Sequence, residues 1–452
     1  MSGKPNIEAL VGNLCDSSCF SDELYSRYGV KRGLRNPDGT GVPAGITRVS
    51  NVHGYLIDEY EKLPCRGELY YRGINVRDII EATNAENRFG YEETSWLLLF
   101  GSLPTRSDLE YYQTVIDSLR ELPPSFTEDM IMRAPSPDIM NKLARSVLAL
   151  YSYDDNPDDT SVENVMRQSF MLISRMPGIM TAAYQVKKRY YDNGDFILHT
   201  PIPGQSAAEN ILSLLRADRK YTWEEARLLD RCLILHAEHG GGNNSTFACR
   251  TITSSGSDTY SAIAAAIGAL KGPRHGGANL RVVKMLDELK ATVKDHRDDD
   301  EIREYLKKLL RKEAGDRSGL IYGVGHAVYT LSDPRAEILR AEAEAHADEY
   351  GMRDDYELLH AVERLAPELL APKMEGGNAI CANVDLYSGL IYRMLGIPSE
   401  LFTPIFALSR MAGWCAHRLE ELITCHRIIR PAYRPIERRH PYITLDERKE
   451  EQ

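Results

Sequence analysis

Three glycine-flanked histidine motifs concentrate the reactive groups of this chain in its second half. In the first, His236-Ala237-Glu238-His239 is followed by Gly240, Gly241, Gly242, Asn243 and Asn244. A helical run that starts near Thr222 ends there, and the glycines let the backbone turn. Histidine suits the negative end of a helix dipole, which accounts for one of the pair more easily than for both. In the second, Gly272-Pro273-Arg274-His275-Gly276-Gly277-Ala278-Asn279 joins two helical runs. His275 lies just before the second run, at the positive end of its dipole. Neutral imidazole is favoured there and can donate a hydrogen bond to a carbonyl oxygen. A turn would explain Gly276 and Gly277, but not His275. The third motif runs from Gly323-Val324-Gly325-His326-Ala327-Val328-Tyr329 to Asp333-Pro334-Arg335. Asp333 reads as an N-cap and Pro334 as the first helical residue. Arg335 then occupies a first turn that disfavours a cation, so either a carboxylate lies nearby or it is an ordinary surface arginine. Gly323 and Gly325 lack the third glycine and the βαβ setting of a dinucleotide fingerprint.

Further charges follow. Asp385, in Asn383-Val384-Asp385, precedes an apolar helical run and is either an N-cap or a working carboxylate. Arg410 lies within the apolar run from Ile405 to Trp414, where burying a guanidinium is expensive without an anion. Arg430, just before Pro431, is either a tail charge or a clamp on a ligand. His236, Glu238 and His239 also admit a metal-dependent hydrolase, although their spacing departs from the HExxH pattern.

The elements that must hold these groups are mostly helical. Helical spacing covers Tyr91 to Phe100, Asn141 to Tyr151 and Ser161 to Met176, with Pro177 opening a second helix towards Tyr191. It continues over Thr222 to His236, Asp258 to Lys271, Ala278 to Lys290 and Asp299 to Ala314. The last runs are Pro334 to Tyr350, Asp354 to Leu370 and Pro404 to Cys425. Only Gly67 to Gly73 reads as β, a short hairpin or loop strand. This predicts an all-α fold with minor β near the N-terminus. The first 45 residues, rich in Gly, Pro and Asn, read as an irregular arm, and no internal repeat is visible. Asp154 to Asp159 and Lys294 to Glu301 read as solvated connections.

Composition sets the class. The 452 residues allow two or three domains at about 150 residues each, or one large core with an insert. A net charge of −11 argues against nucleic acid as a partner, and an acidic protein that binds acidic ligands must gather its arginines locally. No run of 18 apolar residues suggests a membrane span, and Met1 to Leu10 does not read as a secretory leader. The eight cysteines form no CxxC pair, so reduced thiols and a cytoplasmic setting are expected.

Together these motifs resemble the citrate synthase family. GVGHAVYTLSDPR, from Gly323 to Arg335, is similar to the family signature around its second catalytic histidine. HAEHGGGNNST, GPRHGGAN, NVD, FALSR and RP follow the family's order and spacing. GELYYRGINVRDI, YEETSWLLLFGSLPT and SAAENIL resemble its structural motifs, so the likeness spans roughly Val49 to Pro431.

The resemblance implies an acyltransferase that condenses acetyl-CoA with oxaloacetate and hydrolyses citryl-CoA to citrate and CoA. The alternative is 2-methylcitrate synthase, using propionyl-CoA. It implies that His275 bonds the thioester carbonyl, Asp385 takes a methyl proton and His326 polarises the ketone. Oxaloacetate would be held by His239, His326, Arg335, Arg410 and Arg430, the last from the partner subunit of a homodimer. Phe406 matches an aromatic near the substrates. CoA contacts fall on Val324, Gly325, Ala327 and Val328, where many bacterial members carry arginine in place of Ala327. The implied architecture is a large helical domain, residues 1–278 and 389–452, closed over by a smaller one, residues 279–388. No metal or cofactor is implied, acetyl-CoA being a substrate. A non-catalytic paralogue, acting as a binding subunit, is the remaining alternative, against which stands the retention of every expected charged group.

Overall fold

Helix dominates the computed structural model, and the only sheet among the described residues has three strands. The structure describes residues 11, 15, 18–36, 39–58, 61–370 and 380–448. The chain divides into two compact units, Met1–Ala44 with Ile429–Gln452, and Gly45–Ile428. The first unit contains the expected irregular arm, which nevertheless forms one helical turn at Glu23–Arg27.

An antiparallel ribbon opens the second unit, β1 (Ser50–Asp58) against β2 (Glu61–Tyr71), with the short β3 (Ile74–Asn75) beside β2. The sequence suggested strand only near Gly67 to Gly73. The rest was hidden because the register shifts between His53 and Tyr55, around Gly54, which breaks the alternation that marks a strand. Helices follow: α1 (Val76–Ala85), α2 (Tyr91–Phe100), α3 (Arg106–Ser118), α4 (Ile139–Leu150) and α5 (Val162–Tyr191). Next come α6 (Ala207–Leu215), α7 (Trp223–His236), α8 (Asn244–Ser254) and α9 (Thr259–Lys271). The remainder are α10 (Ala278–Thr292), α11 (Asp299–Leu310), α12 (Pro334–His346), α13 (Arg353–Leu370), α14 (Asp385–Met394) and α15 (Phe402–Thr424). Helices α3 and α6 begin with capping boxes, Thr105 with Asp108 and Ser206 with Glu209, a signal the periodicity alone passes over.

Two expectations are corrected. Pro177 does not open a new helix: α5 runs through it as one element of 30 residues. Proline removes one donor from the ladder, but buried residues from Val165 to Val186 hold both halves in the core, and packing outweighs the lost bond. Asp154, expected in a solvated connection, has a buried carboxylate. It accepts from Tyr260 Oη at 2.6 Å, Gln168 Nε2 at 2.9 Å and Arg167 Nη2 at 2.5 Å. Burial pushes its pKa up, yet these donors bring it down to about 2.

Helix α15 is the centre of the core. It is buried from Ala407 to Glu421 and packs on α2, α5, α7, α8 and α9. A helix apolar nearly all round belongs in a core, yet this one also buries Arg410, His417, Arg418, Glu420 and Glu421. Helices α10 to α14 pack on one another, and α12 and α14 reach α7.

The β-ribbon supports the segment between His326 and α12. A Cβ on Gly54 would come within 2.8 Å of the Val328 carbonyl oxygen, and one on Gly67 would overlap that of Ser332. Thr330 Oγ1 donates to the Gly54 carbonyl at 2.9 Å, and Gly67 N donates to Ser332 Oγ at 3.2 Å. Glycine is needed at both places for backbone to lie on backbone. Gly67→Ala is therefore expected to cost about 1–3 kcal/mol, measured as a lower midpoint in thermal or urea unfolding.

Candidate functional site

Each motif histidine is presented by a helix end or a glycine turn. Helix α7 stops at His236, and Gly240, at φ +90°, swings the chain away after His239. Tyr71 Oη, from β2, donates towards the end of α7, 2.9 Å from the Ile234 carbonyl and 3.2 Å from that of Glu238. His275 lies two residues before Gly277, the N-cap of α10. His326 follows Gly323 and Gly325, at φ +81° and +98°. A Cβ on Gly323 would come within 2.7 Å of Leu386, so this turn packs directly on α14.

The His326 turn and the Asp385 turn are sewn together. Gly325 N donates to the Cys381 carbonyl at 2.8 Å, and Asn383 N to the Gly323 carbonyl at 2.9 Å. Asn383 Nδ2 donates to the Gly325 carbonyl at 2.8 Å, while its Oδ1 accepts from Asp385 N at 3.0 Å. Asn383 thus takes the capping duty, and Asp385 is the first helical residue with no capping bond from its own carboxylate. That removes the N-cap reading of Asp385. Val324, Gly325 and Val328 spend backbone groups on this framework, through the Val324–Ala382 bridge, the Gly325 bonds and Val328 N on His326. Ala327 is the exposed member of the four.

His326 has a defined tautomer. Its Nδ1 accepts from Val328 N and Tyr329 N, both at 3.0 Å, so the ring proton belongs on Nε2. Its ring meets that of His239 edge to face, with centroids 5.0 Å apart, and stacks on Tyr329 at 4.6 Å. His239 is buried and its Nε2 has no partner. Burial, reinforced by Arg335, His326, Arg410 and His275, holds its pKa well below the ordinary histidine value. His239 is therefore a neutral hydrogen-bonding group, and positive charge at this place comes from arginine. His236 is fully buried between Phe406, at 4.3 Å, and Tyr392, at 6.4 Å between ring centroids.

The two arginines are handled differently. Arg335, buried in the first turn of α12, is held by the N-cap Asp333, whose Oδ1 takes Nε at 3.0 Å and whose Oδ2 takes Nη2 at 2.7 Å. The carboxylate that its position demanded is therefore intramolecular. Burial would lift the Asp333 pKa, but Arg335 holds it below the usual range. Arg410 has no such partner. Its Nε donates to the His236 carbonyl at 2.6 Å, and its Nη1 and Nη2 are buried without hydrogen bonds. Its guanidinium lies 4.7 Å from the Phe406 ring centroid, which places Phe406 against the charged group. Burial brings the Arg410 pKa down to about 10, which leaves it charged at neutral pH.

His275 Nε2 lies 3.2 Å from Ser245 Oγ, which also accepts from Trp414 Nε1 at 3.2 Å. Burial, then Arg410, lowers its pKa to about 4, so it too is neutral near pH 7. Ser245 and Trp414 carried no distinct signal, although both stand within quoted motifs. Asp385 is half-buried, and burial raises its pKa to about 6, with Arg335 and Arg410 opposing. The charges of Arg335 and Arg410 thus act on both His239 and Asp385. Arg430 is exposed and belongs to the first unit. Arg274 is exposed as well. Among the described residues, no group of three His, Cys, Asp or Glu is arranged to hold a metal ion.

Asp385 carries a stability consequence. Its pKa is higher folded than unfolded, so the folded chain holds this proton more tightly. Stability from this group is present at low pH and is lost as pH rises from about 4 through about 6. Asp385→Asn should therefore raise the melting midpoint at pH 7, by an amount on the order of 2 kcal/mol in unfolding free energy, and leave it little changed near pH 4.

The family model described as "Citrate synthase, C-terminal domain" matches residues 36–432. The chain is 34% identical over 403 residues to a citrate synthase of Acidithiobacillus ferridurans, covering 87% of this chain and 93% of that one. It is 33% identical over 398 residues to the citrate/2-methylcitrate synthase of Bacillus subtilis, covering 88% and 95%. The citrate synthase of Thermoplasma acidophilum, solved as a ternary complex with carboxymethyl coenzyme A and oxaloacetate, superposes with a TM-score of 0.73. It is 28% identical and covers 90% of this chain and 97% of its own.

Proposed function

The chain belongs to the citrate synthase family, and on that premise we propose that it condenses acetyl-CoA with oxaloacetate and hydrolyses citryl-CoA to citrate and CoA. The observation that carries this reading is Arg410: a charged guanidinium, buried, with both terminal nitrogens unbonded. Such a group requires an anion that brings its own acceptors, and a carboxylate meets a guanidinium with two parallel bonds. Arg335 and the neutral His239 and His326 supply a further cation and further donors for a second carboxylate and a ketone.

The chemistry follows from the protonation states. The α-proton of a thioester is so weakly acidic that a carboxylate removes it only while the developing enolate oxygen is stabilised. His275, neutral, turns Nε2 to Ser245, which leaves Nδ1 for the thioester carbonyl. The Ser245 hydroxyl donates to Asn243 Oδ1 at 2.8 Å; redirected to His275 Nε2 when the thioester binds, it leaves Nδ1 with the proton that bonds this oxygen. Asp385, raised to about 6, is a stronger base than an ordinary carboxylate and still ionised near pH 7. It takes the methyl proton, and the enol carbon attacks the ketone carbon of oxaloacetate. His326 Nε2–H bonds the ketone oxygen as charge develops there. Water then cleaves the citryl thioester. No cofactor or metal is needed for these steps.

The finer assignments belong to the same proposal. Residues 279–388 close as a small domain, bringing Asp385 and His326 onto His275 and excluding water. The enzyme works as a cytoplasmic homodimer in which Arg430 completes the partner's oxaloacetate site, and the loop Val324, Gly325, Ala327 and Val328 borders CoA. Propionyl-CoA is the second candidate thioester, supported by the double name of the Bacillus subtilis relative.

A CoA-release assay tests the reading. Acetyl-CoA with oxaloacetate should give turnover, and a clear preference for propionyl-CoA in kcat/KM would move the assignment to 2-methylcitrate. Asp385→Ala and His275→Ala should each lower kcat by roughly 10²–10⁴-fold, and unchanged turnover in both would sink the mechanism. Mixing inactive Arg430→Ala and Asp385→Ala homodimers should restore activity, because the heterodimer has one site with both groups. No restoration in verified heterodimers would place Arg430 outside the site.

A further inference from the structure

A second set of buried charges lies behind the pocket and takes no part in the chemistry above. Glu238, between His236 and His239, is fully buried. Its Oε1 accepts from Ser50 Oγ and His417 Nε2, each at 2.9 Å, and from Gly240 N at 2.6 Å. Its Oε2 has no partner and lies against the backbone of α15 at Gly413, near the Ala237 carbonyl. Burial would push this carboxyl up, but three hydrogen bonds onto Oε1 and the charge of Arg410 favour the ionised form.

The far side of His417 decides what kind of partner it is. His417 Nδ1 receives Arg250 Nη2 at 2.7 Å and Arg250 Nε at 3.2 Å. A guanidinium only donates, so Nδ1 must present its lone pair and the ring proton must sit on Nε2, facing Glu238. His417 therefore gives Glu238 a hydrogen bond without cancelling its charge. The charge of Arg250 is already answered by Glu420 and by Glu421, the latter at 2.7 Å. The cation left to act on Glu238 is Arg410, whose own terminal nitrogens carry no bonds.

We propose that Glu238 is a positioning residue that sets the charge of the dicarboxylate pocket, held ionised behind Arg410 by Arg250 acting through His417. It weakens the pull of Arg410 on every anion, and most on the most highly charged one. The product of the condensation carries one more carboxylate than the keto acid, so this counter-charge favours release. The inference rests on the condensation reading for the ligand and on the buried relay for the residue.

Glu238→Gln isolates the charge. Its Oε1 keeps three donors, and the new amide takes the place of an unbonded oxygen. The expected result is an oxaloacetate Kd about tenfold lower, the size of a unit charge roughly 10 Å away at an effective permittivity near 20. The gain for pyruvate, with one carboxylate, should be about half as large on a logarithmic scale. KM for oxaloacetate should fall, inhibition by citrate should tighten, and kcat should drop through slower release. A purely structural role would weaken both ligands alike. Oxaloacetate binding that is unchanged or weaker in a variant that melts like the wild type overturns the proposal, as does an equal gain for both ligands. Should Glu238→Gln fail to fold, nitrogen NMR of labelled wild-type histidines decides. His417, assigned through its loss in His417→Gln, must carry its proton on Nε2 alone, and a proton on Nδ1 overturns the relay. Wild type that binds no oxaloacetate overturns the condensation reading and this inference together, an outcome that variant data do not produce.

Discussion

A buried guanidinium with no anion hydrogen-bonded to it is the constraint from which the rest of this site follows. Arg410 sits on the largely buried α15, with one nitrogen bonded to the His236 carbonyl and two bonded to nothing. Desolvating such a charge is costly, and helix packing alone does not recover that cost. Its field reaches several ionisable groups near it. It helps to keep His236, His239 and His275 uncharged and opposes the rise of the Asp385 pKa. Neutral histidines, a carboxylate and a cation without a bonded anion therefore coexist without a large net charge arising from protonated histidine.

Holding these groups in register is a backbone task more than a side-chain one. His326 and Asp385 stand far apart in the chain, yet three hydrogen bonds among Gly323, Gly325, Cys381 and Asn383 make their turns one object. The β-ribbon lies against the segment that follows, at distances that admit no Cβ at Gly54 or Gly67. Tyr71 ties the same ribbon to the end of α7. Rigidity of the His326 and Asp385 turns thus comes from backbone that is anchored on both sides.

The legible part of this protein was the part written in residue type at fixed spacing. Helical periodicity found α7, α9 and α10, each of which buries a face that repeats every three to four residues, while apolar runs of helical length marked α2 and α15, which are buried nearly all round. Periodicity broke α5 at Pro177, where burial along the whole helix outweighs the missing donor. It overlooked most of the ribbon, where a shifted register erases alternation. It sent Asp154 to solvent, because a run of acidic residues says nothing of the Tyr260 hydroxyl that approaches from more than a hundred positions away.

By itself, the sequence determined which groups are present and in what order: the histidines, Asp385, Arg335 and Arg410, their glycine turns and their helical supports. Local chemistry limits each to a few roles, and order along the chain sorts them. Tertiary structure alone decided how each group is charged and what it is free to bind. Arg335 and Arg410 look alike as letters, yet the Asp333 carboxylate bonds one and no carboxylate bonds the other. Asp385 could have been a cap until Asn383 took that place. Protonation and hydrogen-bond capacity depend on desolvation and on partners brought from distant positions, and neither is a property of a residue's neighbours in sequence.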